Sequence, residues 1–227
     1  MTVNLSYPFR GRWLVQNSPA NRVPSHGTHL FGTGYSIDFT PVDGSGRSAP
    51  FSLLSAFRPE RPEKFVGFGR PVIAPVAGTV RTVHDGETDH GSFRGFPSIG
   101  YAATQAGRVR RGWVGLAGNH VVLESNGVFI ALCHLKRGSI CVQPGQAVVP
   151  GHPVGTCGNS GNSTEPHLHL QAMDSPIRHR LPRFPSCSRT GCRRTAQSSW
   201  RSSSGVTQPA PRLKRSMNLH PQRTVRR

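Results

Sequence analysis

Asn119-His120-Val121-Val122-Leu123-Glu124-Ser125-Asn126-Gly127-Val128-Phe129-Ile130-Ala131-Leu132-Cys133-His134-Leu135 decides the fold. Two apolar runs flank Asn126-Gly127, the dipeptide that most readily adopts the left-handed conformations of a two-residue hairpin turn. The stretch therefore predicts two long antiparallel strands, with His134 near the end of the second. Downstream, Val142-Gln143-Pro144-Gly145 and Val154-Gly155 space valine and glycine as short strands that turn at glycines. Upstream, Pro71 to Val83 reads as two strands bent at Ala77-Gly78, with β-branched residues on alternating positions. Trp13-Leu14-Val15-Gln16 and Tyr35-Ser36-Ile37-Asp38-Phe39 supply two more. Residues 41–70 are loop-like, with Phe51-Ser52-Leu53-Leu54 as their ordered piece. A long insertion runs from His84 to about Gly118, and within it Tyr101 to Arg111 predicts a helix broken at Gly107. The fold class is all-β: a compact antiparallel β-sandwich over residues 10–175, carrying a long insertion.

The remainder, residues 176–227, differs in kind. The chain has a formal net charge of +18, yet all ten acidic residues lie at or before Asp174. From Ile177 onward there are thirteen Arg or Lys and no acid, so the body is only mildly basic. Stretches such as Ser198-Ser199-Trp200-Arg201-Ser202-Ser203-Ser204 have no period of 2 or 3.6 and few apolar residues, which predicts a disordered tail. The same composition fits an Arg-rich arm for nucleic acid, a functionless extension, or an out-of-frame read of G/C-rich DNA. Five cysteines without C-x-x-C spacing argue against a disulfide framework and a thiolate zinc site. No run approaches the roughly 18 apolar residues of a membrane span. The first ten residues lack a basic and then apolar leader, so the expected location is cytoplasmic by default, or the cell wall if the start lies upstream.

Chemistry concentrates where glycine-rich loops meet strands. Gly158-Asn159-Ser160-Gly161-Asn162-Ser163-Thr164-Glu165-Pro166 runs into His167-Leu168-His169-Leu170. Residues two apart in a strand share a face, so His167 and His169 present two imidazoles to one side while Leu168 turns to the core. Alone, that pattern favours polar residues on the solvated face of a half-buried strand. Asp38, between Ile37 and Phe39, is costly to bury unless paired or bound to a metal. The loop before it, Val23 to Gly34, carries His26 and His29. His84-Asp85-Gly86-Glu87-Thr88-Asp89-His90 also looks like a ligand cluster, but its composition is that of a solvated loop.

Taken together and in order, these pieces resemble the lysostaphin-like zinc metallopeptidases, peptidoglycan endopeptidases with a duplicated hybrid motif (barrel-sandwich hybrid) fold. The matching residues are His26 with Tyr35-Ser36-Ile37-Asp38-Phe39, Ala74-Pro75-Val76-Ala77-Gly78-Thr79-Val80, Ala131-Leu132-Cys133-His134-Leu135, Val142-Gln143-Pro144-Gly145, Val154-Gly155 to Gly158-Asn159-Ser160-Gly161, and Pro166-His167-Leu168-His169-Leu170-Gln171. The resemblance covers about residues 20–174. It implies a groove across one sheet, Zn2+ held by His26, Asp38 and His169, and His134 and His167 as catalytic histidines. Two imidazoles and a carboxylate suit zinc better than magnesium or calcium. One departure stands out: the family often places its first histidine four residues before the aspartate, whereas His26 precedes Asp38 by twelve and His29 by nine. His29 therefore competes with His26 for the ligand position.

The implied activity is hydrolysis of peptide bonds in peptidoglycan cross-bridges or stem peptides. A non-catalytic cell-wall-binding or regulatory module on the same fold is the alternative. A biotinyl-type carrier would need a lysine in a hairpin turn, and Lys136 lacks that context. Nucleic-acid binding would rest on the tail alone.

Overall fold

The computed structural model describes residues 3–175 and the backbone of residues 217–220. The Asn126-Gly127 turn is where the sequence places it. Both residues have positive φ, 50° and 74°, and they join β6 (Asn119–Ser125) to β7 (Val128–Leu135). That hairpin is the centre of a seven-stranded sheet in which all neighbours are antiparallel. On one side of it β5 (Gly78–His84) pairs with β6, and β8 (Ala147–Val148) forms the edge. On the other side follow β10 (Leu168–Met173), β3 (Ile37–Pro41) and β2 (Trp13–Val15). A smaller antiparallel sheet, β4 (Pro71–Ile73) with β9 (Pro153–Thr156), lies over one face. The chain is all-β in its architecture, as its alternating pattern predicts.

The core lies between the two sheets. Ile37 and Phe39 of β3, Leu168 and Leu170 of β10, Ile130 and Leu132 of β7, and Val121 and Leu123 of β6 all point into it. Val72 and Val154 of the small sheet close it from the other side. The core also draws on residues before position 10: β1 (Val3–Ser6) buries Leu5, and Ser6 N–H donates to the Pro75 carbonyl at 2.8 Å. The predicted disorder of the tail falls outside the described residues, except at β11 (Met217–His220), whose backbone runs parallel to β1.

The insertion is helical but divided differently from the expectation. It forms α1 (Pro97–Ala103), α2 (Gln105–Arg110) and α3 (Gly112–Ala117). Gly107 sits inside α2, and the break falls at Thr104. There the Thr104 hydroxyl (2.8 Å) and the Arg108 guanidinium (2.6 Å) both donate to the Tyr101 carbonyl. Trp113 and Ala117 of α3 pack with Val122, Ala131, Cys133 and Met173 on the sheet face opposite the core. The helices thus wall one side of that second face.

Asp85 and Asp89 are not metal ligands, and their loop is not merely solvated. Asp85 accepts the N–H of Gly138 at 2.7 Å, and Asp89 accepts those of Arg137 (2.9 Å) and Asn159 (2.6 Å). They anchor the loops after β7 and β9 through backbone amides.

Candidate functional site

The second sheet face carries the chemistry, and three local devices turn the side chains toward it. The first is plain alternation. In β3, Ile37 and Phe39 face the core, so Asp38 faces away; in β10, Leu168 and Leu170 do the same for His169. Asp38 and His169 are direct neighbours across these strands. His167 immediately precedes β10 on the same side.

The second device is a β-bulge. Asn119 pairs with Leu135 and Val121 with Leu132, so Cys133 and His134 together oppose the single residue His120. Regular alternation from Ile130 and Leu132 would send His134 into the core. The extra residue returns Leu135 to the core and leaves both Cys133 and His134 on the groove face. His134 takes a φ of 61°, the left-handed region that side chains other than glycine adopt at a cost.

The third device is a stapled loop that resolves the long spacing before Asp38. Ser25 N–H donates to the Gly34 carbonyl at 2.9 Å, and the buried Ser25 hydroxyl lies 3.0 Å from the Thr33 carbonyl and 2.9 Å from that of Ser36. Folded back in this way, the loop brings His26 Nε2 to 2.9 Å from Asp38 Oδ2. His29 points elsewhere: it is exposed, its ring packs against Gly34, and it is no part of the cluster.

The geometry then converges. His26, Asp38 and His169 each offer a ligand atom, and these atoms lie within 4.8 Å of one another. His169 Nδ1 is 2.8 Å from Asp38 Oδ1, and His167 Nε2 is 3.7 Å from the same oxygen. The His134 ring lies 4.6 Å from that of His167 and 5.9 Å from that of His169, centroid to centroid. Asn17, which the sequence reading missed, donates to Asp38 Oδ2 at 2.8 Å.

The outer nitrogen of each ring fixes its proton. Gln171 donates its amide to the Phe31 carbonyl at 2.6 Å, which turns its oxygen to His169 Nε2 at 3.2 Å. That oxygen only accepts, so His169 carries its hydrogen on Nε2. His134 Nδ1 donates to the Ser160 carbonyl at 2.8 Å, and His167 Nδ1 to the Glu165 carbonyl at 2.8 Å. His26 Nδ1 lies 3.0 Å from the Ser25 hydroxyl, whose own hydrogen is taken up by carbonyls. Neutral rings held in this way aim bare nitrogens inward. Those of His26 and His169 then face an anionic carboxylate at hydrogen-bond distance, a contact that a proton on the ring or a cation between them makes favourable. Rings anchored at the far nitrogen, around one carboxylate, form a donor set that could hold a metal ion such as zinc. Gln171, two residues after His169 on its face, had a signal in the alternation; Asn17, in a turn, had none.

Electrostatics agree with the geometry. Burial alone would raise the Asp38 carboxyl, but the surrounding imidazoles of His167, His169 and His26 hold it well below the usual carboxylate range. The His134 imidazole is pushed well below its ordinary value by burial and by His167 and His169, against the opposing pull of Ser160 and Asp38. Both effects leave a carboxylate anion and a neutral base. The cluster opens into a groove of about 500 Å³, lined on the far side by α2 and α3. Among the described residues, no helix is long and apolar enough to cross a membrane.

Comparison with known proteins bears on this site. Residues 100–179, which include His134, His167 and His169, match Peptidase family M23. No curated protein sequence matches the chain. Among solved structures, the chain is similar to the catalytic domain of the prophage-encoded M23 protein EnpA from Enterococcus faecalis, at 16% identity over 74% of this chain and 85% of that one, with a TM-score of 0.37. It is similar to the catalytic domain of the antimicrobial peptidase lysostaphin from Staphylococcus simulans, at 17% identity over 65% and 73%, with a TM-score of 0.34. A zinc-containing peptidase from Vibrio cholerae gives 21% identity over 66% and 50%, with a TM-score of 0.32.

Proposed function

We propose that this chain, whose residues 100–179 match Peptidase family M23, is a zinc metalloendopeptidase that hydrolyses peptide bonds in peptidoglycan cross-bridges or stem peptides. The observation that carries the reading is the ring of imidazole nitrogens around one buried carboxylate at the floor of an open groove. His26, Asp38 and His169 would hold the zinc, three protein ligands being the number that catalytic zinc sites use. When bound, the metal supplies Lewis acidity and lowers the pKa of a water from 15.7 to about 7.

The chain's own residues do the rest. Gln171 and Ser25 hold His169 and His26 in the ligating tautomer. His134 and His167, each with Nδ1–H committed to a backbone carbonyl, keep Nε2 free to accept a proton from the attacking water. Once protonated, the same nitrogen becomes a donor that can stabilise a developing oxyanion or protonate the leaving amine. The bulge at Cys133-His134 places His134 on this face, which residues of α2 and α3 also line.

The test combines metal analysis of the full chain with release of soluble peptides from purified peptidoglycan. The expected result is one zinc per chain and peptide release that chelation abolishes and added zinc restores. A folded protein that stays metal-free when offered zinc overturns the reading. One zinc bound without any hydrolysis leaves instead the non-catalytic wall-binding module.

A further inference from the structure

The groove wall opposite the zinc ligands carries one charge that neither the metal site nor the core uses. Arg108 of α2 lines the groove, and Asp38 and Arg108 are the only Asp, Glu, Lys or Arg among its lining residues. The Asp38 carboxylate is committed to His26, His169 and Asn17. Arg108 has no carboxylate partner among the described residues. It is nevertheless held in place. Nε donates to Asn162 Oδ1 at 2.6 Å, Nη1 to Thr104 Oγ1 at 2.8 Å, and Nη2 to the Tyr101 carbonyl at 2.6 Å. Its guanidinium carbon lies 3.7 Å from the centroid of the Tyr101 ring. Tyr101 is itself fixed, donating its hydroxyl to the Gly161 carbonyl at 2.9 Å and accepting the Ser163 N–H at 3.0 Å.

A guanidinium has five N–H donors, so these three bonds leave two without an acceptor among the described residues. All three acceptors are neutral. Elsewhere on the described surface, Arg81, Arg94 and Arg111 each reach a glutamate at 2.5–2.6 Å. Arg108, by contrast, is ordered without neutralisation, and in a groove rather than on an open surface. A pre-organised, unpaired guanidinium with N–H donors to spare is a receptor for a planar carboxylate.

We propose that Arg108 is a specificity-determining residue that binds a free carboxylate of the substrate peptide on the α2 side of the groove. The inference rests on the peptidase reading of the zinc site and deepens it. The preferred substrate is then a cross-link or stem peptide bearing an ionised carboxyl beside the cleaved bond, rather than an uncharged glycine bridge. With the zinc in place the groove is cationic at both walls, which adds attraction for an anionic peptide.

The test uses muramidase-solubilised peptidoglycan in two forms, native and with its carboxyls converted to primary amides by carbodiimide activation in excess ammonium. Binding to the zinc-loaded full chain and peptide release are measured for both forms, with wild type, Arg108→Gln and Arg108→Lys. The expected result is a preference of wild type for the native form on the order of tenfold to a hundredfold, the worth of a charge-assisted pair. Arg108→Gln should lose that preference while retaining its zinc and its binding of the amidated form, and Arg108→Lys should retain part of the preference. A merely structural role for Arg108 would weaken both forms equally, and that outcome overturns the proposal. So does a wild type that treats the two forms alike. If the native form binds with an Arg108-dependent preference but is never cleaved, the carboxylate site stands and the peptidase reading falls.

Discussion

The two faces of the seven-stranded sheet are made by the same strands and obey opposite rules. On one, Leu132, Leu168, Leu170 and Leu123 are fully buried against the small sheet, and any change of volume is felt. On the other, Asp38, His134, His167 and His169 are almost as buried, yet every one is polar and fixed by a named partner. The core face is held by area removed from water and tolerates hydrophobic exchange. The histidine and aspartate cluster of the groove face, beside the apolar packing of Trp113, Val122 and Met173, is held by directional bonds and tolerates almost none. The lesson is that burial alone does not identify a core here; what distinguishes the faces is whether the buried groups have finished bonding among themselves.

The contrast can be broken most severely at Asp38. Asp38→Ala should lower zinc affinity by on the order of a hundredfold or more, beyond what loss of a supporting partner costs, and abolish peptide release. Metal analysis after dialysis reads this directly. Next, His134→Ala should reduce the hydrolysis rate by ~10²–10⁴ while zinc content stays at the wild-type level, which single-turnover kinetics with parallel metal analysis will check. On the other face, Leu132→Ala should cost about 2–5 kcal/mol in urea unfolding and leave zinc binding intact wherever the protein is folded. If Leu132→Ala instead strips the metal, the two faces are not independent. A finer test lies in the bulge. His134→Gly should be more stable than His134→Ala by about 1 kcal/mol, since glycine alone meets no steric penalty at a φ of 61°. The smallest effect is expected at His29, where substitution by alanine should leave zinc content unchanged, whereas His26→Ala should lose it. An intact metal site in His26→Ala would overturn the ligand assignment.

Most of the sheet was legible because its signals are local. Asn126-Gly127 set the hairpin, and Ile37-Asp38-Phe39 and Leu168-His169-Leu170 each declared which residue faces away from the core. The position of His134 was not legible by that logic, since counting in twos from Leu132 sends it inward. A bulge is a relation between two strands, with Cys133 and His134 against His120, and no single strand's pattern contains it. The helix break behaved similarly: Gly107 is the weak former, but the Tyr101 carbonyl is claimed by side chains at Thr104 and Arg108 that lie after it. The acidic residues at 85 and 89 looked like ligands or solvent-facing charge because the backbone amides they accept belong to segments about 50 and 70 positions away. Arg108 drew no notice for the same reason, its acceptor Asn162 being 54 positions on.

The bulge at Cys133-His134 also bears on how portable this chemistry is. Copying five side chains onto a regular antiparallel sheet would not reproduce the arrangement, however well the strands were chosen. A regular host strand with a leucine in the core at the position of Leu132 would deliver the next-but-one residue to the core as well, and a transplanted histidine there would be a buried polar defect. The transferable unit is therefore one residue longer than the list of functional groups suggests. It includes the extra residue in one strand and a backbone able to take a left-handed turn where a histidine stands.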